Sequence, residues 1–444
     1  MMNTPIYSFV QKYAESNSAR LHMPGHKGVG SLGEKYDITE ICGADSLYEA
    51  NGIIRESEKN AGLLFGADTF YSTEGSSLSI RAMLYLVTVY AKSRKQAPMI
   101  AAARNVHKSF VSAAALLDFE IDWIYSEGET YLSSVITKKV VEDYLSSARV
   151  LPVALYLTSP DYLGAVSDIK KIAEACHARG VLLIVDNAHG AYLNFLPESR
   201  HPIALGADMC ADSAHKTLPV LTGGAYLHIS KEAPSLFAEK AKNALSLFGS
   251  TSPSYHILVS LDTANAYLSE DYRKKLTEFV PQVDAVKARL RQHGYTLFGN
   301  EPLKITIYTK AFGYYGTELA EHIFSRGISY EFADPDFLVL MLTEKNTENE
   351  LSRTLDALLS LEKREKISTG APALIAPERI LSPRDAVMSD SETLPVSECL
   401  GRTLSSVTVG CPPAVPIVVS GEQINQAAIE CFEYYGIEYC SVVK

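Results

Sequence analysis

The sequence has no long hydrophobic run and no excess of positive charge. No apolar stretch approaches the roughly 18 residues that a membrane-spanning helix requires, and residues 1–20 lack the apolar centre of a secretory signal. The chain carries 41 Lys and Arg against 52 Asp and Glu, a net charge of −11. Such an acidic balance disfavours nucleic acid or an anionic membrane as the main partner. We therefore expect a cytoplasmic protein that binds neither.

The sequence also lacks a cysteine or histidine pattern in a context that would hold a metal. The seven cysteines are scattered, odd in number and without any C-x-x-C spacing, so we expect reduced core thiols rather than disulfides or a zinc site. His22 and His26 have the spacing of a metal pair on a helix, but Pro24 and Gly25 between them exclude a helix there. The sequence therefore predicts no metal.

The length and the periodicity of the chain predict its organisation. A chain of 444 residues suggests two or three domains. From residue 61 to residue 260, short apolar strands alternate with amphipathic helices, which indicates an α/β fold with a mostly parallel, doubly wound sheet. We predict four segments: an N-terminal arm (1–60), a large domain (61–260), a small α/β domain (261–362) and a C-terminal subdomain (363–444).

An acid and an amine follow two of the predicted strands. Asp186 comes directly after the uninterrupted apolar run 181–185, which is typical of a strand buried on both faces. Lys216 follows a second short strand, predicted for 208–211. A buried carboxylate is costly unless a cationic group meets it, and a lysine can form an imine with an aldehyde cofactor. Pyridoxal 5′-phosphate (PLP) satisfies both requirements, because its ring nitrogen takes the acid and its aldehyde takes the lysine.

A short run of small and hydroxyl-bearing residues is a candidate phosphate site. Gly75, Ser76 and Ser77 precede a helix predicted for 78–90. A helix N-terminus offers free N–H groups and the positive end of its dipole to a phosphate. The alternative interpretation is that Ser76 or Ser77 only caps the helix.

Further polar residues flank the acid and the lysine. Ser213 and His215 lie just before the lysine and would add to the phosphate contacts. His107 follows the carboxyl end of another predicted strand, where an imidazole would stack on the cofactor ring; a solvated turn residue is the alternative. His189 comes three residues after Asp186, a position that suits a hydrogen bond orienting the carboxylate.

Two patterns of nucleotide-binding proteins occur without their structural context. Residues 28–33 satisfy G-x-G-x-x-G, but no strand precedes them and no helix clearly follows. Residues 186–189 resemble the acidic box of helicases, yet the chain contains no G-x-x-x-x-G-K-[ST]. We expect neither segment to bind a nucleotide.

Seven motifs run in order over most of the chain and are specific as a set. They are LHMPGHK (21–27), DITE (37–40), LFGAD (64–68), RNVHKS (104–109), SAHKTL (213–218), TSPSY (251–255) and GE (421–422). Together they resemble the Orn/Lys/Arg decarboxylase family of fold-type I PLP enzymes. The resemblance implies an aspartate aminotransferase-like PLP-binding domain and a smaller C-terminal α+β domain. It is closest to the short members, which lack an N-terminal response-regulator-like domain.

The resemblance assigns expected roles residue by residue. Lys216 is expected to form the imine, Asp186 to partner the ring nitrogen and His107 to stack on the ring, and these three are the expected catalytic residues. Thr251 and Ser252 resemble the segment that reaches the cofactor phosphate of a neighbouring subunit, which implies a homodimer or a larger homo-oligomer; a polar turn before a helix is the alternative. The other expected cofactor contacts are Gly75, Ser76, Ser77, His189, Ser213 and His215.

The implied reaction is α-decarboxylation of lysine, arginine or ornithine, with release of CO₂ and a polyamine precursor. Asn187, Asp161 and Ala414 depart from the residues usual in the family, and we expect the first two near the substrate pocket. Two other interpretations stay open. The chain could be an aminotransferase or lyase on the same fold, or a PLP-binding protein without turnover.

Overall fold

The computed structural model describes residues 2–125, 134, 136–372, 375–410 and 416–444. The chain divides into two compact units, each built from several stretches of sequence. The first unit comprises Met1–Pro98, Val153–Tyr156 and Ile169–Lys274, and the second comprises Met99–Pro152, Leu157–Asp168 and Lys275–Lys444. The four segments expected from the sequence stay a prediction.

The helices of the described residues have the following bounds: α1 Pro5–Glu15, α2 Ile53–Phe65, α3 Gly75–Ser93, α4 Lys108–Leu117, α5 Lys138–Ser147, α6 Ile169–His177, α7 Ala214–Thr217, α8 Ser235–Ser246, α9 Tyr255–Ser269, α10 Tyr272–His293, α11 Gly316–Phe324, α12 Glu348–Leu359, α13 Pro383–Met388 and α14 Gln426–Tyr434. Within the described ranges, none of these helices combines the length and the apolar character that crossing a bilayer would require.

The strands have the following bounds: β1 Asp68–Ser72, β2 Met99–Ala103, β3 Glu120–Ile124, β4 Ala154–Thr158, β5 Leu182–Asp186, β6 Met209–Asp212, β7 Ala225–Ile229, β8 Thr296–Phe298, β9 Lys304–Tyr308, β10 Phe332–Ala333, β11 Phe337–Met341, β12 Ser391–Pro395, β13 Thr408–Gly410, β14 Pro416–Val419 and β15 Tyr439–Val443.

The sheet of the first unit sets the position of the acid. Its strands run in the order β1-β7-β6-β5-β4. β5 and β6 are parallel, with Asp186 opposite Ala211, whereas β7 runs antiparallel to both β6 and β1. Because β5 and β6 run in the same direction, Asp186 and the residues that follow Asp212 emerge at one edge of the sheet.

Helix α6 shows how the sequence pattern builds this layer. Ile169, Ile172, Ala173 and Cys176 recur at helical spacing and are all buried. Burying an aliphatic side chain of this size stabilises the fold by about 1.5–3 kcal/mol. Gly180 follows with a φ of +68°, a conformation that glycine adopts without steric cost, and the chain enters β5.

Three predicted boundaries shift by one to three residues. β5 begins and ends one residue later than predicted, so Asp186 is the last residue of the strand rather than the first of the turn. β6 is shifted by one residue in the same direction. Helix α3 begins at Gly75 instead of residue 78, which places the whole Gly75–Ser76–Ser77 run inside its first turn.

The second unit contains several groups of paired strands around its own core. β2 and β3 pair in parallel, and a four-stranded sheet has the order β10-β11-β9-β8 with antiparallel pairs. Two further antiparallel pairs, β12–β15 and β13–β14, lie near the C-terminus. Residues from the predicted small domain, such as Val339, share one buried cluster with C-terminal residues such as Ile417 and Phe432.

Candidate active site

Asp186 ends β5 as a buried carboxylate that neutral donors hold in place. Its side chain is 2% exposed. The Tyr156 hydroxyl donates to Oδ2 at 3.1 Å, and the Ala188 N–H donates to Oδ1 at 3.1 Å. Burial raises the pKa of the Asp186 carboxyl, while the nearby Lys216 ammonium and these hydrogen bonds oppose the rise. A cationic ligand atom at Asp186 would therefore relieve a real electrostatic cost.

Tyr156 is a site residue that the sequence analysis missed. It lies on β4, next to β5 in the sheet order, and its ring is fully buried. Burial, followed by the neighbouring Asp186 charge, raises the pKa of Tyr156 well above its ordinary value, so the hydroxyl stays a neutral donor. In the sequence, the one indication of this role is that Tyr156 carries the single polar group in the otherwise aliphatic stretch 153–157.

Lys216 lies in the short helix α7 and points its amine at an imidazole. Its Nζ is 3.0 Å from His189 Nε2, and His189 is 5% exposed. The position of His189 in the sequence predicts a hydrogen bond that orients Asp186. The structure instead places its Nε2 against the lysine, and the orienting bonds described above come from Tyr156 and Ala188. Two groups that can exchange a proton thus lie side by side.

Asn187 ties the turn after β5 to the neighbouring strand. It is fully buried, its side-chain amide donates to Asp212 Oδ1 at 2.7 Å, and its N–H donates to the Ala211 carbonyl at 2.9 Å. This departure from the family pattern therefore has a structural partner within the unit.

A second departure, Asp161, is in the second unit. Asp161 is buried, and its Oδ1 accepts a hydrogen bond from the Ala165 N–H at 2.7 Å, so it stabilises its own loop. Ala414 lies outside the described residues.

The predicted phosphate residues meet at the start of α3. The Ser213 hydroxyl donates to Ser76 Oγ at 2.8 Å, and both residues are buried. Ser77 is partly buried in the same turn. The helix begins at Gly75 with Glu74 as its N-cap, and no side chain caps it. The alternative in which Ser76 or Ser77 caps the helix is therefore wrong, because both lie inside the first turn.

Gly75 and His215 are neighbours at this helix start. Gly75 has a φ of +70°, and a Cβ there would lie 3.9 Å from His215 Cε1. His215 Nδ1 faces the Gly224 carbonyl at 3.0 Å and donates to it. Burial lowers the pKa of His215, which favours the neutral ring. Its Nε2 would then donate to a phosphate only after protonation.

Thr251 and Ser252 lie on the surface of the first unit. Both are exposed, and they line a cavity of about 310 Å³ together with Met23, Thr39 and Glu40. The loop approaches α3 through Ser250, whose N–H donates to Glu74 Oε1 at 2.6 Å.

His107 belongs to the second unit, where it is the N-cap of α4. Its Nδ1 accepts a hydrogen bond from the Ser109 N–H at 3.2 Å and lies 2.8 Å from the Ser109 hydroxyl. These contacts fix the ring at the end of β2. Its stacking on a cofactor ring stays a prediction.

Solved structures identify the class of fold. A lysine decarboxylase from Francisella novicida aligns with 100% of this chain and 81% of its own, with a TM-score of 0.81 at 18% sequence identity. The constitutive lysine decarboxylase of Escherichia coli gives a TM-score of 0.77, also at 18% identity, over 100% of this chain and 82% of its own. The predicted fold-type I α/β architecture is confirmed.

The sequence comparisons define the family. Residues 4–307 match the Orn/Lys/Arg decarboxylase family, major domain, and the chain belongs to that family. An arginine decarboxylase from Halalkalibacterium halodurans is 30% identical over 96% of this chain and 91% of its own length. An arginine decarboxylase from Bacillus subtilis is 29% identical over 96% and 92%. The expected family is confirmed.

Proposed function

We propose that the protein is a PLP-dependent arginine decarboxylase, which converts arginine to agmatine and CO₂. The observation that carries the proposal is the buried Asp186, held on β5 within electrostatic range of Lys216. The substrate is chosen because full-length relatives near 30% identity are named arginine decarboxylases. Lysine and ornithine are the competing substrates within the family.

The residues present fit PLP. Burial raises the pKa of the Asp186 carboxyl, so a cationic ring N–H beside it would stabilise the carboxylate. The two buried hydroxyls of Ser76 and Ser213 at the start of a helix match a phosphate. Lys216 would hold the aldehyde, Asp186 the ring nitrogen, and Ser76, Ser213 and the N–H groups of α3 the phosphate. His107 would face the ring. When bound, PLP supplies an electron sink for the electron pair that CO₂ leaves behind.

The chain's own residues perform the remaining tasks. Asp186 keeps a proton on the ring nitrogen. The Tyr156 hydroxyl and the Ala188 N–H, which donate to its two oxygens, hold the carboxylate in one orientation. The Lys216–His189 pair, 3.0 Å apart, returns a proton to the α-carbon after CO₂ departs.

We also propose that the enzyme is a homodimer with shared active sites. Four large apolar side chains within one short segment are strongly exposed: Leu21 by 93%, Met23 by 69%, Val29 by 79% and Leu32 by 85%. Exposed apolar surface of this kind is typical of an interface. The exposed hydroxyls of Thr251 and Ser252 flank the same segment and would reach the partner's phosphate.

Mixing two inactive variants tests the shared site. Lys216→Ala and the Thr251→Ala/Ser252→Ala double variant should each have low activity. Heterodimers formed from both should regain one site with a full set of groups. Activity in the mixture that never exceeds that of either parent, under conditions where subunits exchange, would rule out the shared site.

A product assay tests the reaction and the substrate. The purified protein, supplied with PLP, is incubated separately with arginine, lysine and ornithine, and both CO₂ and the amine product are measured. We expect agmatine and CO₂ in equal amounts from arginine and much slower release from the other two. Lys240→Ala, an exposed lysine on α8, is the matched control for Lys216→Ala and should keep full activity.

Other outcomes of this assay would indicate a different reaction, a binding role or a different substrate. A keto acid formed in stoichiometric amount with pyridoxamine phosphate, without CO₂, would identify an aminotransferase. Neither product from a protein that holds PLP would identify a binding role without turnover. Faster release from lysine or ornithine would replace arginine as the substrate while leaving the reaction intact.

A further inference from the structure

A second buried aspartate of the first unit, Asp212, lies at the end of the strand that leads into α7. It is the last residue of β6 and directly precedes Ser213, the N-cap of α7. His228 lies on β7, the antiparallel neighbour of β6, and His201 comes from the segment before β6. The side chains of Asp212, His201 and His228 are all fully buried, so these groups must satisfy one another.

Both oxygens of Asp212 have partners. His201 Nε2 lies 3.0 Å from Oδ2, and His228 Nε2 lies 3.3 Å from the same oxygen. The Asn187 side-chain amide donates to Oδ1 at 2.7 Å. On the other side of the His228 ring, the Thr69 hydroxyl lies 2.8 Å from Nδ1, which helps to fix the ring. The Asp212 carboxylate is therefore held in one orientation.

The two imidazoles keep Asp212 ionised. Burial by itself would raise the pKa of the Asp212 carboxyl, but the charge that His201 and His228 can carry outweighs it and holds the pKa well below its usual range. Asp186, in contrast, has a raised pKa because burial dominates there. Of these two buried carboxylates, Asp186 is thus the one that a cationic ligand would stabilise, whereas Asp212 already has its counter-charge.

The Asn187 amide connects Asp212 to the groups of the proposed active site. Asn187 directly follows Asp186, and it opens a turn that the Gly190 N–H closes by donating to the Asn187 carbonyl at 2.8 Å. His189, whose Nε2 lies 3.0 Å from the amine of the α7 lysine, is inside this turn. A displacement of the Asn187 side chain would therefore move both the residue before it and the turn after it.

We propose that Asp212 is a positioning residue of the active site, which holds Asn187 and thereby the orientation of Asp186. The inference rests on the proposed function, since it concerns the same site, but it gives Asp212 no contact with substrate or cofactor. Asp186 can keep a proton on the ring nitrogen only while the two are aligned, and a misplacement of about 1 Å in an active site can cost about a hundredfold in rate. The bond from Asn187 to Asp212 limits such misplacement.

Asp212→Asn, compared with a matched control, tests the proposal. The control is Asp208→Asn, because Asp208 is also buried, accepts the Leu183 N–H at 2.7 Å and faces His177 Nε2 at 3.0 Å, but lies before the opposite end of β6. We expect the Asp212→Asn holoenzyme to retain PLP, while kcat for CO₂ release falls about tenfold and KM changes little, the scale of a displacement smaller than about 1 Å. Asp208→Asn should keep the wild-type kcat.

The visible absorbance of the bound cofactor gives a readout that does not depend on turnover. The pH at which this absorbance changes should rise by about half a unit or more in Asp212→Asn, because a less firmly held ring proton makes the linkage between cofactor and lysine more basic. Asp208→Asn should show the wild-type profile. In a protein that releases no CO₂ from any basic amino acid, this shift would still support the positioning role, although the proposed reaction would have failed.

Asn187→Ala is a second variant, which leaves Asp212 and both imidazoles in place. It should reproduce the loss of kcat and the absorbance shift, so a folding failure of Asp212→Asn leaves the proposal testable. Because Asp212 acts through Asn187, the double variant should be no more impaired than the more impaired single variant. Wild-type kcat and absorbance in either single variant, multiplicative losses in the double variant, or equal losses in Asp208→Asn would overturn the role.

Discussion

Two buried charged groups of this protein, one in each unit, are held in different ways. In the second unit, Arg104 donates to both oxygens of Glu422 at 2.7 Å and 2.7 Å and also to the Ile417 carbonyl at 3.2 Å. Both charged side chains are almost completely buried. In the first unit, Asp186 is equally buried, but the hydrogen bonds that orient it come from a phenol and a backbone N–H.

This difference distinguishes the Arg104–Glu422 pair, which stabilises the fold, from Asp186, whose carboxylate is suited to binding a cofactor. A bidentate Arg–Glu pair satisfies the geometry of both partners and neutralises both charges. Neutral donors orient the Asp186 carboxylate without neutralising it, so burial still raises its pKa. A cationic cofactor would therefore stabilise the buried Asp186 carboxylate more than it would stabilise a carboxylate already paired with an arginine.

Breaking the buried Arg104–Glu422 ion pair should give the largest loss of stability. Arg104→Ala leaves Glu422 buried without its partner, which typically costs about 3–5 kcal/mol. The free energy of unfolding from denaturant titration measures this loss. Arg379→Ala, which removes an exposed ion pair with Glu120 in the same unit, is the control and should cost about 0–1 kcal/mol.

A double replacement sharpens the same comparison. Arg104→Met combined with Glu422→Leu removes both buried charges, so most of the lost stability should return. A double variant as unstable as Arg104→Ala would mean that the packing of Arg104, for example against Trp123 at 4.8 Å, matters more than its charge.

Asp186→Asn should affect turnover rather than folding. An amide cannot keep the ring nitrogen protonated, so we expect kcat/KM to fall by about a hundredfold or more, the scale of one well-placed electrostatic group. Steady-state CO₂ release measures the change. Activity close to that of the wild type would show that the carboxylate is structural, like Glu422.

The pH dependence of the apoprotein tests the raised pKa of Asp186 directly. Because the folded-state pKa lies above the ordinary value of 3.8, the folded state binds the proton more tightly than the unfolded chain. Stability should therefore be highest below pH 3.8 for this group and fall as the pH rises through its folded pKa. Asp186→Asn should remove that part of the pH dependence, and an unchanged profile would contradict the shift.

Ser213→Ala should weaken cofactor binding. It removes the hydroxyl that bonds to Ser76, and we expect PLP affinity to fall about tenfold, since a hydrogen bond to a charged group contributes about 1.5–3 kcal/mol. Equilibrium titration of the apoprotein with PLP measures the change. Ser269→Ala on α9, whose hydroxyl bonds only to its own helix among the contacts described, is the control; equal affinities in both variants would remove Ser213 from the phosphate site.

Tyr156→Phe should have the smallest effect. Loss of one neutral hydrogen bond costs about 0.5–1.5 kcal/mol, so a severalfold decrease in kcat is expected. In the Asp186→Asn background the same change should have almost no further effect, because Tyr156 acts through the carboxylate. Independent, multiplicative losses in the double variant would contradict this role.

The sequence predicted the groups at strand ends better than the contacts between strands. Lys216 and Asp186 were recognisable because an apolar run or a short strand precedes each of them. Tyr156 and the Asn187–Asp212 bond were missed, since both depend on which strand lies beside β5. Helix α3 begins three residues before the start that the sequence predicts. Gly75 and the two serines after it have low helix propensity, which the tertiary fold overrides.

The role of Lys216 is tested most directly by finding which lysine carries PLP. The holoenzyme is reduced with borohydride, digested, and the peptide bearing the reduced pyridoxyl group is identified by mass spectrometry. We expect a single labelled peptide that contains Lys216, and no label and no visible cofactor absorbance in Lys216→Ala after dialysis. Label on another lysine, with absorbance retained in Lys216→Ala, would contradict that role.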